Sequence, residues 1–218
     1  KELNKLNVKH DLFKENNRPT VNKNSLYAQN HKLIKIDTVD NSYINDETTN
    51  KIIKILAKDK SDIVVFSDFR HGMFNKHSLS KILEVKSLKK KFLVADSQVA
   101  SRWGNILDFK KFDLITPTEN EARLALFEQD LGIRPLVTKL LKNSSAKNLI
   151  LKLGEKGLIS LSRKNRSDYV SIDPFVKNLV DANGAGDALL AYSSAVLYST
   201  KSIILSSIVG TLAASCKC

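Results

Sequence analysis

The sequence is poor in the residues that build metal sites, disulfide frameworks and membrane spans. Its two cysteines, Cys216 and Cys218, stand one residue apart at the very end of the chain. That spacing excludes a disulfide framework, and two ligands do not make a zinc site. Reduced thiols in a cytoplasmic protein are the simpler reading. The four histidines, His10, His31, His71 and His77, show no metal-ligand spacing. No run approaches the roughly 20 apolar residues of a membrane helix, so no membrane partner is expected. The opening Lys1-Glu2-Leu3-Asn4 is not the apolar core of a signal sequence. Met73 is the only methionine, so the chain reads as a fragment of a longer protein or as a processed one.

Positive charge is abundant: 35 Lys and Arg against 23 Asp and Glu, a formal net charge of +12. Such a balance suits nucleic acid, an anionic membrane surface or small anions such as phosphates, and solvated lysines on helix faces account for it with no partner at all. The lysines are scattered. The longest basic run, Lys89-Lys90-Lys91, falls at the expected end of a helix, where positive charge complements the dipole. Neither zinc-finger spacing nor an aromatic RNA-binding box occurs, so a nucleic-acid partner is not expected. A length of 218 residues with 42% apolar content supports one domain with a real core.

Periodicity supplies the elements. Val21–Gln29 and His31–Asp37 read as two strands joined by a turn near Asn30. Asp46–Lys60 reads as a helix with Ile52, Ile53 and Leu56 on one face. Short continuous apolar runs at 63–66, 92–95, 113–116 and 149–151 read as buried parallel strands. Helices are expected over Ser78–Lys90, over Thr118–Glu128 behind Pro117, and over Ile133–Asn143. Gly154–Gly157 turns the chain into Leu158–Leu161, and two small, apolar helices, Gly184–Ser199 and Lys201–Ser215, close the sequence. Alternating strands and helices imply an α/β fold with three α/β/α layers and a mostly parallel sheet. Ligands of such sheets sit beyond the carboxyl ends of the strands. Chemistry is therefore sought at Ser67-Asp68, Asp96-Ser97-Gln98, Thr116–Glu121, Lys152–Gly157 and Asp181–Asp187.

The most informative segment is Asp181-Ala182-Asn183-Gly184-Ala185-Gly186-Asp187, which leads into an apolar helix. Two glycines at a helix entrance leave backbone N–H groups uncovered, with the positive end of the dipole behind them, which makes an anion site. A carboxylate there can simply cap the helix. Asp181 and Asp187 bracket the glycines, so one carboxylate is available beyond capping. Leu189 occupies the place of the third glycine of a dinucleotide fingerprint, and no Walker A motif occurs. Asp96 either ends its strand or serves a ligand at the sheet edge. Trp103, Tyr27 and Tyr43 read as packing residues.

Asp181-x-x-Gly-Ala-Gly-Asp187 resembles the signature of the ribokinase-like (PfkB) carbohydrate kinases. Leu151–Gly157 is similar to the strand and turn that precede the nucleotide in that family, and Thr116–Ala122 to its Asn-x-x-Glu segment. Ser67–Gly72 and Arg18-Pro19-Thr20 resemble the heptose-phosphate kinase branch. The match runs from about residue 6 to the end, as one partial kinase domain over 1–218 that lacks the family's N-terminal part and closing segment. Residues 18–37 would be strands on the substrate or lid side.

The resemblance implies ATP and Mg²⁺ as cofactors and a sugar or sugar phosphate as substrate. Asp187 would be the catalytic base, and Asn183, Gly184, Ala185 and Gly186 the anion hole. Lys152, Gly154, Gly157 and Asp181 would lie at the nucleotide. Glu121 would organise the metal, and Lys23, Asp68 and His71 would lie on the sugar side. Exposed early strands would also allow a homodimer.

Three positions depart from the family pattern. Thr118 replaces Asn, and Ala182 replaces a common Thr. Arg70 replaces a Gly, which implies either backbone strain at positive φ or a side chain that binds a substrate phosphate. These departures, with the absent N-terminal part, keep open a degenerate homologue that binds nucleotide or sugar without catalysis.

Overall fold

The computed structural model describes residues 2–29, 31–98, 105–176 and 182–218. A short helix α1 (Glu2–Lys5) precedes strands β1 (Asn22–Ala28) and β2 (His31–Thr38). There follow α2 (Asp46–Lys58), β3 (Ile63–Asp68), α3 (Lys76–Leu83), β4 (Phe92–Ser97), β5 (Leu114–Ile115), α4 (Glu119–Leu126) and α5 (Ile133–Ser144). The rest is β6 (Asn148–Lys152), β7 (Leu158–Ser162), β8 (Asn165–Ile172), α6 (Ala185–Thr200) and α7 (Ile203–Lys217). Strands β3 to β8 lie side by side in sequence order. The pairings from β3 through β6 are parallel, and β7 and β8 are added antiparallel.

Alternation along the strands builds the layers. Ala95, Ile115, Leu149, Leu151 and Ile159 enter one core with Ile82 of α3 and Leu136 and Leu140 of α5. Their neighbours Val94, Leu114, Ile150 and Leu158 enter a second core with Leu189, Leu190 and Leu197 of α6. Side chains of a strand point alternately to its two faces, so continuous apolar runs give burial on both. This is the expected three-layer α/β/α arrangement. Within the first core, Phe66, Phe109 and Phe112 meet edge to face with ring centroids 5.2–6.0 Å apart.

β1 and β2 form a separate antiparallel ribbon. Leu26, Leu33, Ile34 and Ile36 on it are exposed, and so are Tyr27 and Tyr43, which do not pack as expected. Among the described residues no helix is long and apolar enough to cross a membrane.

Two elements differ from the pattern read in the sequence. The single helix expected over Ser78–Lys90 is α3 followed by a 3₁₀ turn, Lys86–Lys90, with Val85 extended between them. Continuing the helix would carry Lys86 onto the inward stripe of Leu79, Ile82 and Leu83. Breaking it buries Val85 and Leu88 instead. β8 is additional: it is one of the sheet's two edge strands, and its polar sequence lacks the apolar signal of the inner strands.

The last two helices pack through small residues. Ser193 and Ser206 exchange side-chain to backbone hydrogen bonds at 3.1 and 2.9 Å, and Ser207 Oγ bonds Ser160 Oγ of β7 at 2.8 Å. A Cβ on Gly210 would fall 2.0 Å from Ser193 Oγ. Gly210→Val is therefore expected to cost about 1–3 kcal/mol through overpacking, measured as a lowered urea midpoint.

Candidate active site

The entrance to α6 is shaped by Gly184, which adopts φ 82° and supplies no side-chain cap. The first-turn amides of a helix have no intrahelical acceptor; Ala185 N–H turns back onto Ala182 O at 3.1 Å, and Gly186 N–H stands at the positive dipole end with no hydrogen bond among the described residues. Asp187 follows in the first turn, exposed, and its carboxylate has no hydrogen-bond or ion-pair partner among the described residues. The methylenes of Lys217 pass over the loop, and its Cε would lie 3.2 Å from a Cβ on Gly184. Asn183 to Asp187 line a cleft whose opposite wall includes Asp96, Thr118, Glu121, Lys152, Gly154 and Gly157.

That opposite wall is built from strand ends. Lys152 ends β6, its backbone N–H bonded to Pro117 O at 2.8 Å. Its ammonium donates to both oxygens of Asp96, at 3.0 and 3.1 Å, and Thr116 Oγ1 donates to Asp96 at 3.2 Å. The β6–β7 hairpin turns through Gly154 and Gly157, at φ 62° and 77°. Only Gly fits at 157, where a Cβ would fall 2.1 Å from Ile172 O.

Thr118 and Glu121 form the capping box of α4: Thr118 N–H donates to Glu121 Oε2 at 2.7 Å, and Glu121 N–H to Thr118 Oγ1 at 3.2 Å. Glu121 Oε1 makes no hydrogen bond among the described residues. Burial pushes the Glu121 carboxyl above its ordinary range, and the nearby Lys152 charge partly offsets this.

The residues expected on the sugar side gather at the end of β3, outside this wall but joined to it. Asp68 accepts from Ser97 Oγ at 2.9 Å, and Ser97 follows Asp96 on β4. Asp68 also accepts the Arg70 N–H at 2.9 Å and Arg70 Nη1 at 3.2 Å, and its side chain is 1% exposed. It organises the turn and leaves little surface for a ligand. Arg70 does adopt a left-handed conformation, φ 59°, which costs an L-residue about 1–2 kcal/mol and which the Asp68 clamp holds. Arg70 Nε and both ring nitrogens of His71 are buried with no hydrogen-bond partner among the described residues. Burial lowers the His71 pKa, and Lys23 and Arg18 lower it further. Lys23 extends over the Phe69 ring, 5.6 Å from its centroid. Gly72, at φ 87°, sits where a Cβ would fall 1.9 Å from Ser42 O.

The cleft thus unites the expected Asp187, Asn183–Gly186, Lys152, Gly154, Gly157 and Glu121, while Lys23, Asp68 and His71 form the adjoining group. Asp181 and Trp103 lie outside the described residues. The Asp96–Lys152 pair has no signature in the sequence beyond the position of each at a strand end. Arg18 was legible only within Arg18-Pro19-Thr20.

Comparison with known proteins gives a family. The sequence pattern of the pfkB family carbohydrate kinases matches residues 1–218. The bifunctional protein HldE of a Nitratiruptor species is 27% identical over 188 residues, 83% of this chain and 37% of that protein. The bifunctional protein HldE of Blochmanniella pennsylvanica is 24% identical over 219 residues, 99% of this chain and 44% of that protein. The chain spans less than half the length of these relatives. Ribokinase from Giardia lamblia superposes with a TM-score of 0.71 at 17% identity, over 98% of this chain and 68% of that one. Phosphofructokinase-2 from Escherichia coli in complex with fructose-6-phosphate gives a TM-score of 0.67 at 16% identity, over 84% and 60%. These likenesses show the ribokinase-like fold.

The Glu121 environment makes a prediction with a definite sign. Ionising a carboxyl whose pKa is raised by folding costs folding free energy. Its contribution is most favourable at acid pH and is lost as the pH rises through the raised value. Gln serves equally at this capping-box position. Glu121→Gln is expected to be at least as stable as the wild type near neutral pH. The difference should close as the pH falls below the ordinary carboxyl value of 4.5, as followed by thermal denaturation across the pH range.

Proposed function

Because the chain belongs to the pfkB family of carbohydrate kinases, we propose that it transfers the γ-phosphoryl group of ATP to a hydroxyl of a sugar that already carries a phosphate, with Asp187 as the base. The observation that carries this reading is the pairing of an unpartnered Asp187 carboxylate with an uncapped glycine entrance to α6 in one cleft. Asp187 takes the proton of the acceptor hydroxyl. The acceptor oxygen forms a bond to the γ-phosphorus, and the bond from that phosphorus to the β–γ bridging oxygen breaks, its electron pair leaving with ADP. The amides of Asn183 to Gly186 take up charge on the transferring group. In a loose transition state, positioning and charge stabilisation dominate, and donors fixed in advance need no reorganisation.

Gly154, Gly157 and Lys152 border the nucleotide. Mg²⁺ fits the donor present: Glu121 is a buried carboxyl with one oxygen outside the capping box. No group of three or more metal-ligating side chains occurs among the described residues, which suits an ion that keeps water and phosphate oxygens as ligands. When bound, Mg²⁺ supplies charge neutralisation on the phosphates.

The acceptor's own phosphate is supported by the group at the end of β3. Arg18, Lys23 and Arg70 bring positive charge there, and buried donors of Arg70 and His71 lack partners among the described residues. The likeness of Ser67–Gly72 to heptose-phosphate kinases and the HldE relatives favour a heptose phosphate, handled in the cytoplasm.

The alternative is a homologue that binds nucleotide without transfer. It is motivated by Thr118 and Glu121, which already engage each other. Asp187→Asn separates the two readings. Turnover with ATP, Mg²⁺ and a panel of sugar phosphates should fall about 100- to 10,000-fold while ADP affinity is kept. A variant as active as the wild type would remove Asp187 from the mechanism. Arg70→Gly should relieve the left-handed strain and keep stability, yet raise the KM for a phosphorylated acceptor well above its effect on kcat. An unchanged KM would separate Arg70 from the acceptor.

A further inference from the structure

Resting on the kinase reading, we infer that Lys152 is a catalytic residue that contacts the transferring phosphoryl group, and that Asp96 is the positioning residue that holds it there. Several observations converge on the pair. The Lys152 side chain is 14% exposed and that of Asp96 5%, so both charges are largely out of water. Desolvation makes a buried ion pair a poor stabiliser compared with apolar residues of the same shape, so core packing does not call for one here.

The geometry aims the ammonium at the glycine loop. Lys152 Nζ is 3.7 Å from where a Cβ on Gly186 would lie, and the absence of that side chain leaves the gap open. An ammonium has three donors. Both Asp96 oxygens are engaged by it, at 3.0 and 3.1 Å, and no other acceptor for it appears among the described residues.

The backbone of Lys152 is fixed by its bond to Pro117 O and by a bridge to Thr118. Thr116 Oγ1 donates to the Oδ1 of Asp96 as well, at 3.2 Å, and helps fix the carboxylate. The cation is thus held from two sides in the gap between Glu121 and the amides of α6. A phosphoryl group seated on those amides meets Lys152 on the Gly186 side, whereas Lys217 passes over Gly184. Lys152 exchanges no proton in this role. It offsets the charge on the oxygens of the group in flight while that group passes from ADP to the acceptor.

Removing Lys152 alone would strand a buried carboxylate and risk misfolding. The test variant is therefore the double substitution Asp96→Asn with Lys152→Met, which removes both charges with little change of shape. Calorimetry in the presence of Mg²⁺ would compare ADP alone with ADP plus aluminium fluoride, a mimic of the transferring group. The wild type should bind the mimic more tightly than ADP. Beyond any change in its ADP affinity, the double variant should lose roughly 100-fold or more of the added affinity for the mimic, as for one lost charge-stabilising donor. Asp96→Asn alone should lower kcat with little change in the KM for ATP. A double variant that keeps the full preference for the mimic would overturn this role and leave the kinase reading intact. A wild-type protein that binds neither ADP nor the mimic would overturn both.

Discussion

Inner strands buried on both faces leave their charged residues only the strand ends, and the polar side chain inside β7, Ser160, is hydrogen bonded to Ser207. From β4 to β7 each adjacent pair of side chains divides between the two cores, so a polar residue within those runs would cost burial free energy. Asp68, Asp96, Thr116 and Lys152 therefore all stand at the carboxyl edge. The switch to antiparallel pairing after β6 lets a tight hairpin, Gly154–Gly157, close at that same edge. The first turn of α6 arrives opposite it. The cleft thus follows from where the core allows polarity to be.

Within this frame the buried charges fall into two classes. Asp96 with Lys152 and Asp68 with Arg70 are paired and further hydrogen bonded, which is how charge survives removal from water. Among the described residues, the polar groups without a partner include the Asp187 carboxylate, one oxygen of Glu121, the Arg70 Nε and the His71 ring nitrogens. All of them lie at the edge where the strands end, and none within the apolar layers. Of these, Asp187 is exposed, whereas the Arg70 and His71 nitrogens are buried at the end of β3.

Much of this was legible in the sequence because the signals were local. The runs 92–95 and 149–151 marked inner strands, since burial on both faces admits only apolar residues there, and 63–66 marked β3, which forms an edge of the sheet with Val65 exposed. Gly184 and Gly186 before an apolar helix marked the anion site, since few other residues leave amides bare. Non-local facts were not legible. That Lys152 and Asp96 pair depends on β5 lying between β4 and β6, which no spacing encodes. The break at Val85 reflects competition between helical phase and burial of Leu88. Edge strand β8 escaped notice because an edge position does not require the apolar run that inner strands do. Arg70 showed its departure from the family's glycine, but the Asp68 clamp that sustains it appears only in three dimensions.

The two halves of the site rest on unequal foundations. The wall carrying Lys152, Glu121 and Gly157 is anchored to strands in the hydrophobic interior, whereas Lys23 rides on a two-stranded ribbon whose apolar side chains face outward. Substitutions on that ribbon disturb no core packing, so selection can revise the proposed acceptor side at little expense to folding. The wall proposed for the nucleotide has less latitude, because Lys152, Glu121 and Gly157 are packed against the interior. A family built this way would be expected to diversify in what it phosphorylates far faster than in what it uses as the donor.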